Sequence, residues 1–333
     1  MSTDASRFTF RLGPMTVAVT PAVSPNDIRA AAQRIAGRVR VTPIMRLAAS
    51  ELDLPVDVTL KLELLQHVGS FKPRGAFNRV LAAGPISDAG LIAASGGNHG
   101  AAVAFVARAL DIRAEIFVPS SSPAMKRDRI AALGAKVHVI EGLYDDAQAV
   151  ATQQQAETGA LLVHPFEHPD IVAGQGTMSY ELETQMSPGG FDTMLVATGG
   201  GGFTAGQAAW FEGRKRVVSV EPITSQCLNA ARLADEPVDV TVAGVASDSL
   251  GARRLGAIAW SVVRPYVAHS VTVDDDAIRA AQRLLWDRLR LIVEPGGATA
   301  LAALHSGAYV PEAGERIVVV VCGANCDPAT VTG

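Results

Sequence analysis

Four short apolar runs in the first half of the chain are "LIAAS" (91–95), "AEIFVP" (114–119), "KVHVIEG" (136–142) and "ALLVHP" (160–165). Runs of this length without in-and-out alternation predict strands buried on both faces, hence a largely parallel sheet. Between them, positions 98–110, 124–134 and 144–157 read as helices. A second series, "TMLVATGG", "RVVSVEP", "SVTV" and "RIVVVVCG", is again separated by helical text. Repeated alternation of strand and helix predicts a doubly wound α/β fold. Asp274-Asp275-Asp276 opens a further helix, with acids at the positive end of its dipole and Ile278, Ala281, Leu285 and Leu289 along one face. No repeat, low-complexity tract or long linker interrupts the series, so two lobes can interleave in sequence.

Composition narrows the class. A length of 333 residues suits about two domains, and 48% hydrophobic with 19% charged residues suits a soluble α/β enzyme. The net charge of −4 and the short basic clusters Arg214-Lys215-Arg216 and Arg253-Arg254 give no footprint for nucleic acid. Cys227, Cys322 and Cys326 form no disulfide framework, which favours a reducing, cytoplasmic setting. No signal peptide is legible in residues 1–24, expected to be an irregular lead-in within which Met15 is an alternative start. No apolar run approaches a membrane span.

The chemistry sits in the loops. "GSFKPRGAFN" (69–78) frames Lys72 between Phe71 and Pro73, a setting no solvated surface lysine needs. "ASGGNHG" (94–100) follows a strand and opens a helix, so its amides can cradle a carboxylate or phosphate. Ser95 adds a hydroxyl there, and Asn98 a donor for a phenolate-like oxygen. Taken alone, the same loop is a capped helix start with His99 on the surface. "TGGGGFTAG" (198–206) places four glycines in succession, costly unless the chain wraps an anion closely. In "VCGANCDP" (321–328), Cys322 ends a strand at the sheet edge where α/β ligands bind, although a buried thiol is more often plain packing. Neither Cys322 with Cys326 nor the histidines of "HPFEH" (164–168) reads as a metal site.

One cofactor uses all these parts. Pyridoxal 5'-phosphate needs a lysine for its imine, a phosphate cradle, a partner for its ring nitrogen and a nearby carboxylate site. Lys72, the Gly199–Gly202 loop, Cys322 and the "SGGNHG" loop meet those needs in turn. A rival reading exists: Gly200, Gly202 and Ala205 fit G-x-G-x-x-A, with Glu221 at the end of the next strand, as in a dinucleotide site. That reading explains neither Lys72 nor the first loop, and it stands second.

The segments "KLELLQHVGSFKPRGAFN", "SGGNHGAAVA", "HPDIVAGQGT", "TGGGGFTAG", "SVEP", "SDSLGARRLG", "VEPGGATALAAL" and "VCGANCDP" occur in the order found in fold-type II pyridoxal-phosphate enzymes. From Pro25 to Pro328 the chain resembles their serine/threonine dehydratase and serine racemase group. The resemblance implies a tryptophan-synthase-β-like fold: two open, twisted, mostly parallel sheets flanked by helices. A small domain, 88–164, would be inserted in a large cofactor-binding one, 1–87 with 165–333, and the protein would be a homodimer. It implies Lys72 as the attachment residue, with Phe71, Asn98, Glu294 and Cys322 around the cofactor and Gly199, Gly200, Gly201 and Gly202 on its phosphate. Ser95, Gly96, Gly97, Asn98 and His99 would surround the substrate carboxylate.

The implied reaction removes water from a β-hydroxy amino acid, L-threonine or L-serine, giving a 2-oxo acid and ammonia, with Lys72 taking the α-proton. Related racemases carry a serine where this chain has Gly96, which ranks elimination above racemisation. A lyase acting on hydroxyaspartate or phenylserine is a further variant, and a nicotinamide-dependent oxidoreductase a more distant one. Relatives often have serine where Cys322 stands. Some bind a cation through an acid like Glu221 and a second acid at a position that is Cys227 here, which leaves Glu221 as the one candidate metal ligand. Glu294, as a bare sequence feature, could simply end a helix. The chain stops shortly after "VCGANCDP", so no C-terminal regulatory domain is expected.

Overall fold

The computed structural model describes residues 21–186 and 190–332. The expected lead-in lies outside the described residues up to position 20, Met15 included. Ser24 then caps helix Pro25–Arg34, its hydroxyl accepting from the Asp27 amide while Asp27 accepts from the Ser24 amide.

Among the described residues ten strands follow: β1 (Ile44–Leu47), β2 (Val58–Leu62), β3 (Leu91–Ala94), β4 (Ala114–Pro119), β5 (Lys136–Ile140), β6 (Leu161–Leu162), β7 (Thr193–Ala197), β8 (Arg216–Pro222), β9 (Val267–Val273) and β10 (Ile317–Val321). They form two open sheets. The larger runs β1-β2-β10-β7-β8-β9 and is parallel except for β1 against β2. The smaller runs β5-β4-β3-β6 and is parallel throughout. All strands of the smaller sheet come from 91–162, and all strands of the larger from the flanking stretches.

Burial on both faces is why these runs became strands. In β3, Leu91 and Ala93 pack into one core while Ile92 and Ala94 pack into another on the opposite face. β2, β7 and β10 are buried along their whole length. β5 departs from that expectation: it is an edge strand with Lys136 and Val139 exposed. "ALLVHP" also contributes less strand than expected, only Leu161–Leu162, because the chain turns at His164–Pro165.

The last strand in sequence lies in the middle of the large sheet. β10 is flanked by β2 and β7, all three parallel, so their carboxyl ends lie side by side. The chain leaving β2 leads to Lys72, β7 leads into Gly199–Gly202, and β10 leads directly into Cys322. Topology thus gathers three distant segments at one sheet edge, where ligands of open α/β sheets bind. Among the described residues no helix is long and apolar enough to cross a membrane.

Candidate active site

Lys72 opens helix Lys72–Ala82, with Pro73 at a position where a missing amide costs nothing. Two devices fix that helix. Arg74 forms a two-pronged pair with Glu63 at the end of β2, both contacts 2.8 Å, and reaches Glu181 at 2.9 Å. Lys61 joins the same buried group through Glu181. Gly75 and Gly174 let this helix cross helix Pro169–Gln185 closely: a Cβ on Gly75 would meet Gln175 at 2.6 Å, and one on Gly174 the Arg74 carbonyl at 2.7 Å. The lysine is therefore held from both sides.

Its amine lies 3.0 Å from the Pro165 carbonyl and 5.2 Å from the centre of the Phe71 ring. Burial lowers its pKa from 10.5 to about 8, against the opposing pull of negative charge at Cys322 and Glu294. Burial pushes both of those neighbours towards their neutral forms, which weakens that pull. An unprotonated amine is the nucleophilic form.

The glycine loop stands beside it. Phe71 stacks on Phe203, ring centres 3.9 Å apart, and Phe166, next to Pro165, fills the space that side chains at Gly200 and Gly202 would need. Gly201 has φ of +86°, and a Cβ there would meet Leu255 at 2.5 Å. The amides of Gly199, Gly200, Gly201, Gly202, Phe203 and Thr204 have no acceptor among the described residues, although all but the first two of these residues are buried. Buried donors without acceptors at a helix start suit a phosphate.

The Ser95–His99 turn leaves β3 in the smaller sheet. Gly97 donates to the Ser95 hydroxyl oxygen at 3.2 Å, while the amides of Gly96, Asn98 and His99 have no acceptor among the described residues. Asn98 links the two sheets, donating to Glu294 at 2.6 Å and accepting from Asn325 at 2.6 Å. Two expectations need correction. His99 is not at the surface; its Nε2 donates to the Val163 carbonyl at 2.7 Å and burial drives its pKa to about 3, so its ring stays neutral and only its amide is left for a carboxylate. Glu294 does not end a helix but precedes helix Pro295–His305, with its carboxylate directed to Asn98.

Cys322 is buried, its thiol 3.6 Å from the Gly296 carbonyl. Burial raises its pKa, so it stays a weak neutral donor. Glu221 lies elsewhere: its carboxylate accepts the Leu228 and Asn229 amides, both at 2.8 Å, and burial raises its pKa to about 7. That commitment removes it from a ribose hydroxyl and weakens the dinucleotide reading. Cys227, the second position of the possible cation pair, donates its thiol to the Gly199 carbonyl at 3.0 Å.

Sequence reasoning does not single out Pro165, Phe166 or Asn325. "HPFEH" carries no metal reading from its sequence, and His164 and His168 each accept backbone amides through Nδ1. The signal available was position, since the segment follows a strand at the ligand edge of the smaller sheet.

A family model described as pyridoxal-phosphate dependent enzyme matches residues 35–323. The chain is 33% identical to the biosynthetic L-threonine dehydratase of Haemophilus influenzae over 92% of its own length, but spans only 61% of that protein. It is also 33% identical to the serine racemase of Oryza sativa subsp. indica, across 91% of each chain. Among solved structures, a threonine deaminase from T.th. superposes with a TM-score of 0.85 at 34% identity, covering 91% of this chain and 99% of that one.

Proposed function

The chain belongs to the fold-type II pyridoxal-phosphate-dependent enzymes, in the threonine dehydratase and serine racemase family, and from that premise we propose that it is an ammonia-lyase. The proposed substrates are L-threonine and L-serine, released as a 2-oxo acid and ammonia. The observation that carries this reading is the half-buried Lys72 amine, with its pKa lowered to about 8, next to a loop whose amides have no acceptor among the described residues. Amide donors beside one nucleophilic amine fit a phosphorylated aldehyde.

Lys72 would hold the cofactor covalently, the 199–204 amides its phosphate, and Cys322 its ring nitrogen as a neutral partner. When bound, the cofactor supplies a sink for the electron pair left at the substrate α-carbon. The chain's own groups do the rest. The free amides of Gly96, Asn98 and His99 orient the substrate carboxylate. Lys72, released by the incoming amine, takes the α-proton, which its lowered pKa allows near neutrality. Asn98, fixed by Glu294 and Asn325, would donate to the cofactor's ring oxygen. A neutral Cys322 thiol would offer no counter-charge at the ring nitrogen, which would favour departure of the β-hydroxyl, as water, over return of the proton to the α-carbon.

Racemisation is a second reading. Gly96 has no side chain to move a proton, yet the Ser122 side chain occupies the place where a Gly96 Cβ would be. One experiment separates the two: 2-oxo acid release across a panel of β-hydroxy amino acids, with the chirality of the recovered amino acid. Abundant 2-oxo acid with recovered L-substrate supports elimination. D-serine without 2-oxo acid would replace it with racemisation. A homodimer is proposed on the same family ground.

A further inference from the structure

Gly96 and Ser122 leave adjacent parallel strands. β3 ends at Ala94 and β4 at Pro119, and the Ser95 amide donates to the Phe117 carbonyl at 3.0 Å, so their loops rise together at one sheet edge. A tight turn, with the Ser122 amide on the Pro119 carbonyl at 2.9 Å, folds Ser122 back over the first loop. Its Cβ then lies 2.7 Å from the position a Gly96 Cβ would take, and its Oγ closer still. No real Cβ sits that close to an oxygen, so the two positions share one side-chain volume, and Ser122 fills it. The Ser122 hydroxyl is half-buried and has no hydrogen-bond partner among the described residues. It stands over the turn that carries the acceptor-free amides of Gly96, Asn98 and His99.

We propose that Ser122 supplies, from the neighbouring loop, the side-chain donor that Gly96 lacks, and that it contacts the carboxylate of the amino-acid substrate. This rests on the reading of the site given above. A neutral hydroxyl in that place adds one hydrogen bond to a charged group and discriminates amino acids from simple amines.

The test titrates cofactor-loaded protein with glycine and with methylamine, which has the amine but no carboxylate, following the cofactor's absorbance. Ser122→Ala is expected to weaken glycine about tenfold, the effect of one lost hydrogen bond to a charge, and to leave methylamine within about twofold. Glycine affinity unchanged, or both ligands weakened alike, would overturn the proposal. The shared volume is read separately by melting the cofactor-free protein. Gly96→Ser should lower the melting temperature, and Gly96→Ser with Ser122→Gly should restore it, together with glycine affinity once loaded. A Gly96→Ser protein that melts like the parent, or a double variant no better than the single one, would contradict the geometry. Failure of the parent protein to take up cofactor would instead sink the reading of the site, on which the melting comparison does not depend.

Discussion

Lys72 is kept neutral more easily than any solvated lysine because burial removes the water that would stabilise its charge. The same burial pushes Cys322 and Glu294 towards their neutral forms, which weakens the pull that would oppose the effect. A lysine whose folded pKa is about 8 holds fewer protons than the unfolded chain between pH 8 and 10.5, so stability rises with pH across that window. Below pH 8 the cost of the buried amine is fully present, at most about 3 kcal/mol. Lys72→Met is therefore expected to stabilise the cofactor-free protein at pH 7, with the gain fading as pH approaches 10.5. Denaturant melts at pH 7 and 10 check this, and an equal gain at both would contradict it. The residue itself was legible in the sequence from its neighbours Phe71 and Pro73. Its counterpart Ser122 was not, because the overlap with Gly96 exists only once two loops are brought together.

At the scale of elements, strands were legible where both faces are covered, as in β3, β4, β7 and β10. β2 escaped notice because Lys61 breaks its apolar run, and only the folded chain shows Glu181 at 2.5 Å from that amine. The glycine loop stood out in the sequence, but the reason for each glycine did not. Gly200 and Gly202 clear the Phe166 side chain and backbone, whereas Gly201 answers to its own left-handed backbone. Gly201→Ala adds a Cβ against Leu255 and Ala259 in a conformation that alanine resists. It is expected to cost about 1–3 kcal/mol and to weaken uptake of pyridoxal phosphate more than tenfold. A variant that binds the cofactor like the parent would show that the loop does not carry the phosphate.

At the scale of the molecule, the two sheets are separate in sequence and joined by polar contacts from several places. Asn98 reaches Glu294 and Asn325 from one to the other, Lys126 pairs with Asp248, Arg129 reaches Asn325 and the Val68 carbonyl, and Arg253 pairs with Asp145. We propose that 88–164 is a domain that moves against the rest. The half-exposed Asp248 adds little to global stability, under about 1 kcal/mol. Asp248→Asn should nevertheless speed amide exchange in helix Ala124–Ala132 severalfold, with little change in melting. Uniform exchange across both sheets would argue against independent motion. The interleaved arrangement was readable in the lack of a linker, whereas the placing of β10 between β2 and β7 was not, since strand order leaves no mark on local pattern.

The most direct test is borohydride reduction of the protein loaded with pyridoxal phosphate, followed by peptide mass analysis. The account predicts a phosphopyridoxyl label on the peptide carrying Lys72, none after Lys72→Ala, and loss of 2-oxo acid release in that variant. A label on another lysine, or turnover that survives Lys72→Ala, would contradict it.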